Sequence, residues 1–319
     1  MGASGVGVFV FDRAAYWHRH EYTATEIARK RRTSNISTGA AVALTFVLFA
    51  CRGWFAAAPT VAPNPLRVLS AFLNAAFLVF TFVADAFCSQ PAEDGSECAA
   101  VTETAVGPFA YFTKQALAIQ VAHAAASMAA EAFADAPLLA VVHAASTFVA
   151  CMAIALSLLF LKLCWYEPGW QAEVLLPANK RGIPGSFVAL AAHIPSLPCA
   201  VFDVAVVKRA SLFLPTFVDF GHTATVVVVY SASFVVITNL NYKWSRGNYP
   251  YPFMRALTSI KCDGMPRRDF PEKGTLRLAR STTARFARLW AVFYVAIVVL
   301  LLCFVLPCVF LLKQLNPWG

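Results

Sequence analysis

The sequence predicts an all-α fold, a multi-pass transmembrane helical bundle of six or seven spans. Three observations predict it. Of 319 residues, 59% are hydrophobic and 13% charged, with a mean hydropathy of +0.62. A soluble domain carries about 25% charged residues, and half that share cannot cover a globule in water. Apolar stretches recur at the ~20-residue length that crosses the hydrocarbon core. The Lys and Arg residues behind the net charge of +9 gather outside most of those stretches, as they do in loops flanking a membrane. An ordinary soluble enzyme, a disordered chain and a nucleic-acid-binding domain are excluded. Nine cysteines are too sparse for a disulfide scaffold.

Residues 1–37 read as a basic N-terminal tail, whose Arg29-Lys30-Arg31-Arg32 cluster runs directly into a stretch of membrane length. No short cleavable leader is expected there. Residues 38–313 then form one transmembrane domain with a basic loop at 241–288. Six stretches are apolar enough to span: 38–58, 66–87, 137–163, 186–207, 221–240 and 289–312. Residues 109–134 are the doubtful seventh, Ala-rich and bearing Lys114, Gln115, Gln120, His123 and Glu131. Such a segment either spans inside a bundle or lies at the interface. Charge favours a crossing. Seven spans with a cytosolic N-terminus leave nineteen Lys and Arg on the cytosolic side and four on the other, the asymmetry that the positive-inside rule describes.

Polar groups inside spans are costly and point to function. In His193-Ile194-Pro195-Ser196-Leu197-Pro198-Cys199-Ala200-Val201-Phe202-Asp203, an imidazole and a carboxylate lie ten residues apart in one span. That is about 15 Å of helix, so they cannot touch. The prolines between them bend the helix or open its backbone. The next span runs into Tyr249-Pro250-Tyr251-Pro252-Phe253, an extended aromatic element at a membrane boundary. At the start of the second span, Arg67-Val68-Leu69-Ser70 is followed one turn later by Asn74 on the same face.

This ordered set resembles the androgen-induced protein family and, more distantly, the rolling-stone and Pr6Pr-type membrane proteins. The matching positions are His193, Pro198, Asp203, Tyr251, Pro252 and Phe253, with Arg67-x-Leu69-Ser70 where the family carries Lys-x-Leu-Thr. The resemblance implies an intramembrane hydrolase of fatty acid esters of hydroxy fatty acids. Ser70 would be the nucleophile in place of the family's Thr, and His193 the base. Asn74 would be a donor to the oxyanion, and Asp203 a supporting residue acting across helices. Ser70 and His193 reach similar depth only if 109–134 stays out of the membrane, so the hydrolase reading takes six spans. It needs no metal or cofactor. The expected partners are a lipid or fatty acid ester substrate and the bilayer, with no nucleic acid. The expected location is the endoplasmic reticulum or plasma membrane. Cys88 and Cys98, flanking an acidic loop, could pair if that loop is extracytosolic. His123 and His143 are expected to line close helix contacts.

Overall fold

The computed structural model describes residues 24–51, 62, 64–88, 111–165, 184–244 and 294–316. The Tyr251-Pro252-Phe253 element, the basic loop past residue 244 and the Cys98 half of the proposed disulfide lie outside the described residues.

Among the described residues, every regular element is helical. Helix α1 is Ala24–Ala50, so it begins inside the segment that sequence sets apart as a tail. Helix α2 is Pro65–Cys88. Asn64 Oδ1 accepts from the backbone N–H groups of Leu66 (3.0 Å) and Arg67 (3.4 Å), and Pro65 fills the first helical position. Helix α3 is Phe112–Phe133. It stops at Ala134, which takes the left-handed conformation at φ 49°. Asp135 then caps α4, Ala136–Phe160, by accepting from the N–H of Leu138 at 3.0 Å. A π-helical turn, Leu161–Trp165, continues α4.

The next crossing is a broken helix. Helix α5, Gly185–His193, gives way at Ile194 and Pro195 to α6, Ser196–Phe202. A π-helical turn, Asp203–Val207, completes it. The two prolines remove backbone donors, which is why the ladder breaks here. A short turn over Ala210–Leu212 leads to α7, Thr216–Trp244. The last helix, α8, covers Tyr294–Gln314 with a π-helical stretch at Leu300–Val305, just before Pro307.

Six of these are long and apolar enough to cross a membrane: Pro65–Ala84 of α2, α3, α4, Ala189–Val207 of the broken helix, Thr216–Thr238 of α7, and α8. The chain is an integral multi-pass membrane protein. These six differ from the six expected. The doubtful segment 109–134 supplies a full-length helix, and the first stretch supplies only the shorter apolar run Thr38–Ala50. The physical reason lies in what α3 touches. Its Ala116, Ala118, Ala122, Ala124, Ala126 and Ala130 are buried among α1, α2 and α4. Small side chains let helices approach closely, and a helix facing protein does not need lipid-like hydropathy. The lipid-facing role falls to α2, α7 and α8, which expose Phe72, Phe80, Val229, Val236, Phe304 and Leu311.

Helices alternate in direction. The starts of α2, α4 and α7 share one end of the bundle with the finishes of α3, the broken helix and α8. Ser127 against Lys208, Asp219 against Lys313, and Asn316 against Val204 fix that end. It is called the Lys208 end below. The opposite end holds His193.

Candidate functional site

The two expected catalytic residues are not brought together. Asn74 Nδ2 approaches Asp203 Oδ1 at 3.5 Å, which sets α2 level with the broken helix at that point. His193 lies ten residues from Asp203 toward one end, and Ser70 four residues from Asn74 toward the other. At 1.5 Å per residue, the two are separated along the bundle by about 20 Å. Ser70 sits at the Lys208 end, between the level of Arg67 and that of Asn74. Their nearness depended on α3 staying out of the bundle, and α3 lies within it.

His193 has a different hydroxyl partner. Thr113, in the first turn of α3, places Oγ1 3.3 Å from His193 Nε2. His193 Nδ1 lies 2.8 Å from the backbone carbonyl of Ala189. A carbonyl only accepts, so Nδ1 carries the hydrogen and a neutral ring presents a lone pair at Nε2. Thr113 Oγ1 therefore donates to Nε2. Ser157 Oγ donates to the His193 carbonyl at 2.8 Å, holding the backbone where the broken helix parts. Phe160 stacks on the imidazole at 3.9 Å between centroids. Both Thr113 and His193 are half-buried. Tyr111, which precedes α3, makes no side-chain cap, and the positive end of the helix dipole falls at Thr113.

Asn74 and Asp203 belong to a second cluster at the Lys208 end. Lys208 is 1% exposed, with Nζ 3.5 Å from Asp203 Oδ1 and donating to Ser127 Oγ at 2.5 Å. Burial pushes the Lys208 ammonium below the ordinary lysine pKa, and the Asp203 carboxylate opposes that shift. His123 faces the other carboxylate oxygen, Oδ2, at 3.8 Å. Thus Asp203 Oδ1 has the charged and amide partners that a buried carboxylate requires.

Arg67 donates to the carbonyls of Val206, Val207 and Lys208 at 3.4, 3.1 and 2.9 Å. Asn316 Nδ2 donates to those of Val204 and Lys208 at 2.9 and 3.0 Å. The carbonyls freed by the π-helical turn are thereby satisfied inside the bundle. Arg209 grips Glu131 with two bonds, at 2.6 and 3.2 Å. Lys313 and Thr147 both donate to Asp219 Oδ2, at 2.5 and 2.8 Å, and Lys313 lies over the Phe213 ring.

One register links the two clusters. Thr113 meets His193 and His123 meets Asp203, each 80 residues apart. Ser127 meets Lys208 at a separation of 81, and Glu131 meets Arg209 at 78. Helix α3 and the broken helix thus run parallel as a polar seam from one end of the bundle to the other.

Sequence reasoning singled out His193, Asp203 and Asn74 but missed Thr113, Lys208 and Arg209. Thr113 carries no local motif and opens the segment whose crossing was in doubt. Lys208-Arg209 reads as an ordinary loop-side basic pair. The recurrence of polar residues at 120, 123, 127 and 131, one helical face of α3, was the available signal. No family model, curated protein or solved structure matches this chain.

Proposed function

We propose that the chain is an intramembrane hydrolase of lipid esters, with fatty acid esters of hydroxy fatty acids as the substrate class suggested by its family resemblance. Its nucleophile is Thr113 and its base His193. The observation that carries this reading is the hydrogen bond from Thr113 Oγ1 to His193 Nε2, with the ring oriented from behind by the Ala189 carbonyl. Nucleophile, base and orienting acceptor in that order are the parts of an activated hydroxyl.

In the proposed reaction, Thr113 Oγ1 attacks the ester carbonyl carbon while His193 Nε2 takes its proton. Negative charge develops on the carbonyl oxygen beside the first turn of α3, where the helix dipole favours it. The tetrahedral species collapses, and the imidazolium gives its proton to the departing alkoxide of the hydroxy fatty acid. Water then attacks the acyl-threonine with His193 taking a proton. Collapse releases the fatty acid, and the proton returns to Thr113 Oγ1. The apolar walls around the pair, Phe160 and Trp165 among them, suit acyl chains. Such esters partition into membranes of the endoplasmic reticulum or the cell surface, where the proposal puts the protein.

Purified full-length protein in nanodiscs should hydrolyse a fatty acid ester of a hydroxy fatty acid. Thr113→Ala and His193→Ala should each lower kcat by about 10²-fold or more. Thr113→Ser should retain measurable turnover, and Ser70→Ala should match the wild type. Unchanged turnover in Thr113→Ala ends the assignment.

A non-enzymatic reading, as a transporter, receptor-like or fusion-related protein, draws on the buried charges at the Lys208 end. It requires that a serine- and threonine-directed fluorophosphonate label neither the wild type nor Thr113→Ala.

A further inference from the structure

We propose that the seam between α3 and the broken helix is hydrated, binding single water molecules in file from the Lys208 end to His193. Buried polar groups almost always have a hydrogen-bond partner, protein or water. Two atoms on this seam have no protein partner. Asn74 is 5% exposed, and its Oδ1 meets no donor because its amide nitrogen is turned to Asp203. Ser196 is 0% exposed, and its Oγ meets neither donor nor acceptor.

A third position has the same need. His123 Nε2 is 2.8 Å from the Val142 carbonyl and so carries the hydrogen. Its Nδ1 lone pair then faces Asp203 Oδ2 at 3.8 Å, two acceptors with nothing to share between them. The neighbouring donors are committed elsewhere. Lys208 and Asn74 point to Asp203 Oδ1. Arg209 binds Glu131 through its side chain and His143 Nε2 through its backbone N–H, while His143 Nδ1 binds the Leu139 carbonyl. Arg67 is turned to the carbonyls of the π-helical turn, and Lys313 to Asp219. Water supplies two donors and fits where these two acceptors face each other.

The spacing suits a file of waters. Ser196 stands three residues from His193 and seven from Asp203. Gln120 lies three residues from His123 on the same face of α3. Polar levels along the seam therefore recur every ~4.5–6 Å, within reach of one or two waters. If the hydrolase reading holds, this path delivers the water consumed in deacylation while acyl chains occupy the lipid side. The hydration itself does not depend on that reading.

The test compares two buried thiols in the full-length protein. Cys199 follows Ser196 by three residues and precedes Asp203 by four, so it borders the seam. Cys151 is also buried, at 0% exposed against 5% for Cys199, and lies in a cluster with Ala150, Ile154, Leu301 and Leu306 away from the seam, whereas Cys199 packs with Ala75, Leu78 and Ala124 beside it. X-ray hydroxyl-radical footprinting in lipid nanodiscs, read by mass spectrometry in 18O-labelled water, oxidises residues next to internal water. Cys199 should be oxidised several-fold faster than Cys151. Ser196→Val should bring the Cys199 rate down toward the Cys151 rate. Equal, slow oxidation of both thiols in the wild type overturns the proposal. The readout needs no turnover. A hydrated seam in a protein without esterase activity leaves the path standing and removes its catalytic role, and a dry seam in an active enzyme does the reverse.

Discussion

Asp219 shows what a single buried charge demands in this bundle. It is 1% exposed and takes hydrogen bonds from Lys313 and Thr147. Asp219→Ala leaves the Lys313 ammonium uncompensated, and removing one partner of such a pair costs about 3–5 kcal/mol. Asp219→Leu combined with Lys313→Met removes both charges and should recover most of that loss. Denaturant unfolding of the three proteins in detergent measures the difference. Equal stability of Asp219→Ala and the wild type would show that the ammonium finds another partner. Asp203 makes a contrasting case, because its two oxygens face different groups, Lys208 and Asn74 on one side and His123 on the other. Its role across helices was legible from the distance to His193 alone. The identity of those partners was not, because Asn74 and His123 come from two other helices.

At the scale of the element, α3 is held by small residues. Ala118 is 0% exposed, so Ala118→Leu should destabilise the protein by roughly 1–3 kcal/mol through overpacking. Phe80→Leu, on the exposed face of α2, should leave the unfolding midpoint nearly unchanged. The same composition explains which parts of the fold the sequence revealed. The most apolar stretch, 289–312, reads as a span because it meets lipid, and α8 covers most of it. Residues 109–134 read as doubtful because their burial is against protein and their polar side chains are paired there. Hydropathy reports transfer to lipid, not pairing with another helix. Thr113 was hidden for the same reason. Its meaning comes from His193, 80 residues away, and no local pattern encodes that contact. The break at His193 to Pro198 was legible, since proline acts on its own backbone.

At the scale of the whole molecule, helix direction settles an arrangement of charge. Arg67, Lys208, Arg209 and Lys313 lie at the Lys208 end. The chain enters the opposite end from the side of α1's start and leaves it after α4 and α7, next to the basic segments at 29–32, 180–181 and 245–288. The His193 end should therefore face the cytosol. Epitope tags at residue 1 and within 261–288 should be accessible from the cytosol, and a tag after residue 319 should be protected. The reverse pattern would break the assignment. Helix α3 also carries a consequence for how the protein is made. It is the least apolar of the six crossings, and its Ser127 and Glu131 meet Lys208 and Arg209, which follow the broken helix and are synthesised about 80 residues later. At 5–20 residues per second the ribosome needs roughly 4–16 s to supply them. During that interval α3 is a poor candidate for release into lipid. Its lasting insertion is then a late event, completed when the broken helix arrives beside it, and biogenesis becomes a matter of waiting for the right neighbour.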